Sequence, residues 1–200
     1  MKFNVLIVGV GGQGALTTAA VIARAAMKSG HNVVASETHG MAQRGGSVEV
    51  HVRIGDVLSP LIPLGDADVV LALEPVEALR YVHYVSEKSK VILNTRKILP
   101  PSVTTGQAKY PDLEEIIDDL RSLCEVYPVE AWKIAERAGN LLATNVAIIG
   151  IALALTKLPF GIDDAEWAVK EIMSGRLLDV NLRALKMGYE EARSVLLSAV

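Results

Sequence analysis

Two hundred residues, half of them apolar and 22% charged, with a net charge of −3, describe a chain long enough to bury its own core. Nine aromatics and the lack of a basic stripe exclude a nucleic-acid binder, which needs clustered Lys and Arg beside stacking rings. The one cysteine, Cys124, excludes an internal disulfide and an iron–sulfur cluster held by this chain alone, and it suits a reducing, cytoplasmic setting.

The chain opens into Phe3–Val8 (FNVLIV), an apolar run that reads as a strand covered on both faces, with no signal peptide ahead of it. A glycine loop follows, VGVGGQG, in which Gly9, Gly11 and Gly14 hold a G-x-G-x-x-G spacing and are joined by Gly12 and Gln13. Ala15–Ser29 reads as an Ala-rich helix ended by Gly30, and Asn32–Ser36 as a second buried strand. Together these predict a right-handed βαβ unit with parallel strands.

Such a loop between strand and helix is the setting of the dinucleotide fingerprint, where phosphate approaches the free N–H groups of the helix start. Glu37, at the end of the second strand, then stands where a ribose-binding acid would be. The alternative is that the glycines only permit tight strand–helix packing. A stand-alone NAD(P)-dependent oxidoreductase needs, in addition, a substrate domain and an acid–base set, and neither is evident downstream. The loop also resembles that of the adenylating domain of ubiquitin-like-protein activating enzymes, but the lone cysteine and the downstream pattern disfavour that reading.

The next loop, Thr38–Gly46 (THGMAQRGG), leads into strict alternation: Val48, Val50, Val52 and Ile54 against Ser47, Glu49, His51 and Arg53. Period two predicts a strand near a sheet edge, open to antiparallel pairing, with one buried face and one that is wet or meets a partner. Val69–Leu73 and Val91–Leu93 read as further buried strands, with a helix around Val76–Val85 between them. Pro100–Gly106 is the least structured stretch. Asp112 with Glu115 caps a helix whose apolar face is Leu113, Ile116, Ile117, Leu120 and Leu123. Glu125–Pro128 is a short strand.

From Ala131 onward only helices are predicted. Asp163 with Glu166 repeats the capping pattern, and Leu182, Leu185, Tyr189, Ala192 and Leu196 stripe the last helix. Leu141–Leu158 is the one membrane candidate; it falls short of the ~20 residues a span needs and contains Thr144, Asn145 and Thr156, so it reads as a buried or interface helix. His31, His39, His51 and His83 show no zinc-ligand rhythm. No linker interrupts the elements. Residues 1–200 therefore read as one α/β domain: three layers, a Rossmann-like, mostly parallel (mixed) sheet, and a helical C-terminal region.

The segment ETHGMAQRGGSVEVHVRIG (Glu37–Gly55), combined with the Gly9–Gly14 loop, resembles the gamma domain of 2-oxoacid:ferredoxin oxidoreductases, and its HGMAQRGG form is similar to the indolepyruvate branch of that family. The resemblance continues through AERAGNLLATNVAIIGIAL (Ala135–Leu153) and NLRALKMGYEEA (Asn181–Ala192), so it covers nearly the whole chain. Leu141 and Leu142 depart from it, standing where relatives often carry more polar residues.

The resemblance implies a division of labour. A large partner subunit would hold thiamine diphosphate, magnesium and iron–sulfur clusters, decarboxylate an aryl 2-oxoacid, pass electrons to ferredoxin and release an acyl-CoA. Pyruvate or 2-oxoglutarate is the alternative substrate. This chain lacks the thiamine-diphosphate motif and the cluster cysteines, so it would be a cofactor-free, metal-free subunit, inactive alone. Gly9, Gly11, Gly12, Gln13 and Gly14 would build a first loop that meets an anion or another subunit. His39, Gln43, Arg44, Gly45 and Gly46 would build a second loop beside it, with Arg44 reaching a carboxylate or phosphate, or else forming an internal salt bridge. The Leu141–Leu158 helix and the polar face of Ser47–Ile54 are the expected contacts with the large subunit, and an isolated chain would self-associate to cover them.

Overall fold

A computed structural model describes residues 1–39 and 45–198. Six strands form one mixed sheet: β1 (Lys2–Val10), β2 (Val33–His39), β3 (Ser47–Gly55), β4 (Val69–Ala72), β5 (Lys90–Asn94) and β6 (Glu125–Val129), in the order β2-β3-β1-β4-β5-β6. β1, β4, β5 and β6 are mutually parallel, whereas β3 runs antiparallel to both β1 and β2. The helices are α1 (Ala15–Lys28), α2 (Pro75–Arg80), α3 (Pro101–Thr104), α4 (Leu113–Arg121), α5 (Ala131–Ala138), α6 (Thr144–Leu155), α7 (Ile162–Ile172) and α8 (Gly175–Ser198).

The layering follows from β1. Its successive side chains point to opposite faces, and all four of Val5, Leu6, Ile7 and Val8 are fully buried, so both faces must be covered. Val5 and Ile7 join α1 and the C-terminal helices in one core with Ile22, Ile148, Ile149 and Leu185. Leu6 and Val8 join Val70, Ile116 and Leu120 in a second core beneath α2 and α4. Each such side chain contributes roughly 1.5–3 kcal/mol of transfer free energy. The three-layer α/β architecture of the sequence reading is thus realised.

α6 is apolar on every side because it is enclosed on every side: Asn145–Ala152 are all buried. It lies so close to α8 that a Cβ on Gly150 would sit 2.1 Å from the Leu185 carbonyl oxygen, and one on Gly188 2.4 Å from that of Ala147. Among the described residues no helix is long and apolar enough to cross a membrane. β6 forms one margin of the sheet. Glu125 and Val129 bond toward β5, so by the period of two Pro128 turns its nitrogen to the open side, where its missing N–H costs no ladder bond.

Several expectations are corrected. β2 is not a buried neighbour of β1; β3 inserts between them, and β2 is a half-exposed margin strand. The polar face of β3 is not wet either. His51 and Arg53 are buried because the 56–66 loop folds over them: Arg53 Nη1 donates to the Ser59 and Leu61 carbonyls at 2.9 and 3.0 Å, Arg53 Nε to Asn4 Oδ1 at 2.9 Å, and the Ile62 N–H donates to His51 Nδ1 at 3.2 Å. The Leu141–Leu158 helix is shorter, beginning at Thr144 after a 3₁₀ turn (Leu141–Ala143), and its buried body offers no partner surface.

Smaller shifts concern helix ends. The cap expected at Asp163 and Glu166 falls two residues earlier, with the Gly161 N–H donating to Asp164 Oδ2 at 3.3 Å. The helix expected over Val76–Val85 divides into α2 and a 3₁₀ turn at Val82–Tyr84. The stretch Pro100–Gly106 contains α3. The cap at Asp112 is as expected, its N–H donating to Glu115 Oε2 at 3.3 Å.

Candidate functional site

In an open α/β sheet the crevice lies at the carboxyl ends of the parallel strands, where successive connections leave in opposite directions. Here that point is the junction of β1 and β4. β1 delivers the glycine loop to it, β4 delivers Glu74, β5 delivers Asn94, and β3 begins there at Ser47.

The two glycine segments meet directly. The Gly11 N–H donates to the Gly46 carbonyl at 2.8 Å, and the Gly45 N–H donates back to the Gly11 carbonyl at 3.2 Å. Gln13 then ties the loop to the sheet: the Val10 N–H donates to Gln13 Oε1 at 2.7 Å, while Gln13 Nε2 donates to the Leu73 carbonyl at 2.9 Å. Asn94 Nδ2 reaches the same carbonyl at 3.0 Å. Gly9 has no room for a side chain, since a Cβ would lie 2.8 Å from Gln13 Oε1 and 3.0 Å from Leu73 Cβ. Gly12, at φ 104°, faces open space.

Gly14, at φ 82°, starts α1 and is held from the neighbouring α6, with Asn145 Nδ2 donating to its carbonyl at 3.2 Å, and from within α1 by Thr18 Oγ1 at 3.0 Å. Of the predicted second loop, Gly45 and Gly46 are therefore beside the first. His39 ends β2 opposite Val48, and Gln43 and Arg44 lie outside the described residues.

This geometry bears on the dinucleotide reading. The Val10, Gly11 and Gln13 amides are engaged inside the protein, so much of the loop's donor capacity serves packing. Glu37 is two strand spacings from β1, roughly 10 Å, because β3 intervenes. A ribose acid needs its strand next to the glycine loop.

Two polar groups went unnoticed in the sequence. Glu74 is 1% exposed and accepts from the Glu77 N–H at 3.2 Å, the Ile98 N–H at 3.1 Å and the Tyr110 hydroxyl. It caps α2 and pins the strand-end loop after β5. Burial, then the Glu74 carboxylate, pushes the Tyr110 hydroxyl far above its ordinary value. Beside it, Ser47 donates to Glu77 and lies 2.8 Å from the Tyr81 hydroxyl, whose pKa is also raised by burial. The signal for Glu74 was present: an acidic residue with Pro75 next to it, after a buried strand, marks a helix start.

None of this assembles a nucleophile with a base. Burial, with Glu125 adding to it, pushes the Cys124 thiol up to about 11, so it is a neutral thiol near pH 7. Among the described residues no three His, Cys, Asp or Glu side chains are grouped to hold a metal. A groove of about 660 Å³ lies between β6, α5, α6 and the end of α8, lined by Val126, Ile134, Ile151, Leu155 and Leu196 among others. Its rim charges are largely paired, Lys133 with Glu130 and Arg137 with Glu191. It opens beside β6, three strands from the glycine loops.

Comparison with known proteins gives these features a context. A family model described as pyruvate ferredoxin/flavodoxin oxidoreductase matches residues 4–191. The chain is 61% identical, over the whole length of both, to the indolepyruvate oxidoreductase subunit IorB of Archaeoglobus fulgidus. It is 31% identical to the common gamma subunit of the pyruvate/ketoisovalerate oxidoreductases of Pyrococcus furiosus, covering 92% of this chain and 93% of that one. Among solved structures, a 2-oxoglutarate:ferredoxin oxidoreductase from Magnetococcus marinus shares the fold at TM-score 0.73 and 18% identity, over 96% of this chain and 31% of the longer one.

Proposed function

Because the chain belongs to the pyruvate ferredoxin/flavodoxin oxidoreductase family, we propose that it is the small subunit of an indolepyruvate oxidoreductase, completing an enzyme whose chemistry is carried by a larger partner. The observation that carries this reading is the 61% identity along the full length of an indolepyruvate oxidoreductase subunit, against 31% to a pyruvate/ketoisovalerate one.

The chain's own residues agree with a supporting role. Thiamine diphosphate supplies the carbanion chemistry and iron–sulfur clusters the electron path in the reaction we assign, and both belong to the partner; a single thiol held neutral near pH 7 does not fit a cluster. The paired loops Gly9–Gly14 and Gly45–Gly46 are assigned to shape the surface presented to that partner. The reaction is the oxidative decarboxylation of an aryl 2-oxoacid, with electrons passing to ferredoxin and the acyl group to CoA.

Co-expression with the large subunit tests the reading. The reconstituted pair is expected to reduce ferredoxin with indolepyruvate and CoA, while the small chain alone shows no turnover. Turnover by the lone chain, micromolar binding of NAD(P)H to it, or a clear preference of the pair for pyruvate would overturn the assignment.

A further inference from the structure

Of the strand and helix offered by the sequence as partner contacts, His51 and Arg53 and the helix body Asn145–Ala152 are buried, which leaves Leu142, ahead of that helix, as the exposed apolar remnant. Resting on the subunit reading above, we infer that the chain docks on its partner through the sheet's carboxyl edge, against a surface that is apolar at its centre and carries carboxylates facing Arg96 and Lys97.

The charge pattern is the first support. Arg96 and Lys97 follow β5 and are exposed, and among the described residues neither makes an ion pair. Each instead rests on an aromatic ring: the Arg96 guanidinium is 5.9 Å from the Trp132 ring centroid, and Lys97 Nζ 5.3 Å from that of Tyr110. Their loop is pinned, because buried Glu74 accepts both the Ile98 N–H and the Tyr110 hydroxyl. Two unneutralised cations on a fixed loop lose little side-chain freedom when they pair, so opposing carboxylates would gain more from them than from free surface lysines.

Apolar exposure is the second support. Leu99, Leu16 and Leu142 are 50%, 54% and 73% exposed and come from three separate segments. The Asn145–Gly14 hydrogen bond brings the start of α6, preceded by Leu142, against the start of α1, which carries Leu16. Leu99 follows Arg96 and Lys97 on the same strand-end loop. The glycine loop lies at this edge too, so a partner seated there meets bare backbone flanked by leucines and cations. Exposed apolar side chains gathered on one edge mark an interface, and the cations decide what kind of partner fits it.

The test measures affinity between the full-length small chain and its large subunit at 50 and 300 mM salt. The double variant Arg96→Glu/Lys97→Glu is expected to weaken binding about 10-fold or more at low salt and to abolish most of the salt dependence. Leu142→Ser is expected to weaken it about 10-fold at both salts. Leu58→Ser/Leu64→Ser, on the exposed 56–66 loop at the opposite edge, is expected to change affinity by less than about twofold, and urea unfolding of each variant confirms that it is folded. Unchanged affinity in the charge-reversed variant, or a larger loss at Leu58 and Leu64, overturns the docking face while leaving the subunit reading intact. Failure of the wild-type chains to associate at all overturns both.

Discussion

Asn145 on α6 donates to the carbonyl of Gly14 at 3.2 Å, and its Nδ2 stands 2.6 Å from where a Cβ on Gly14 would be. One residue pair thereby joins the glycine loop to the C-terminal helices. Gly14→Ala meets two penalties, the left-handed backbone at φ 82° and this contact. It is expected to cost about 2–4 kcal/mol in urea unfolding. Asn145→Ala is expected to cost about 0.5–1.5 kcal/mol by removing one hydrogen bond, because the Gly14 carbonyl keeps the Thr18 N–H and hydroxyl as donors. The double variant should lose clearly less than the sum, since removing the Asn145 amide frees the space that the added methyl group needs. Strict additivity would show that the two positions are not coupled.

The α6–α8 crossing has no such relief. The obstacles to a Cβ on Gly150 and Gly188 are backbone carbonyls at 2.1 and 2.4 Å, which cannot rotate away. Gly150→Ala and Gly188→Ala are each expected to destabilise by about 3 kcal/mol or more, with the loss largest at Gly150. A stability change under about 1 kcal/mol at either site would mean that the helices separate easily.

His51 is expected to make the fold acid-sensitive. Burial holds its imidazole below the ordinary value, outweighing the opposing pull of Glu49, and Arg53 lowers it further. Its Nδ1 must stay unprotonated to accept the Ile62 N–H. A depressed histidine is protonated more readily in the unfolded chain, so stability is lost as pH falls below about 6.5. Urea midpoints measured from pH 7.5 to 5 are expected to decline, and the decline should be shallower in His51→Asn, whose side-chain oxygen can accept the same bond. Equal slopes for the two proteins would remove His51 as the cause.

Cys124 responds at the other end of the scale. With its thiol pushed up to about 11 by burial and Glu125, alkylation by iodoacetamide near pH 7.5 should be much slower than for an unfolded control. Its rate should keep rising toward pH 11. The folded state holds this proton more tightly than the unfolded chain, so its contribution to stability is present below the ordinary thiol value near 8.5 and is lost as pH rises toward 11. An inflection in the alkylation rate near 8.5 would show an ordinary, solvated thiol.

The central parallel strands could be read from the sequence because they are buried on both faces and show it as unbroken apolar runs, as in Val5–Val8 and Val69–Leu73. The β2–β3 half misled for a physical reason. Alternation in Ser47–Ile54 reports that one face is polar, not that it is wet, and Arg53 and His51 are sealed by carbonyls and an amide from the 56–66 loop that alternation cannot foresee. The glycines were conspicuous, but their partners were not. That Gly11 pairs with Gly46, that Gly14 meets Asn145 and that Gly150 meets Leu185 are facts of tertiary contact between distant segments.

Pro128 has a last consequence. Its nitrogen faces outward at the β6 margin and carries no hydrogen, so an incoming polypeptide cannot stitch onto this flank in regular register. Copies of the small chain made in excess of their partner therefore lack a continuous backbone ladder on this flank for fibril-like growth.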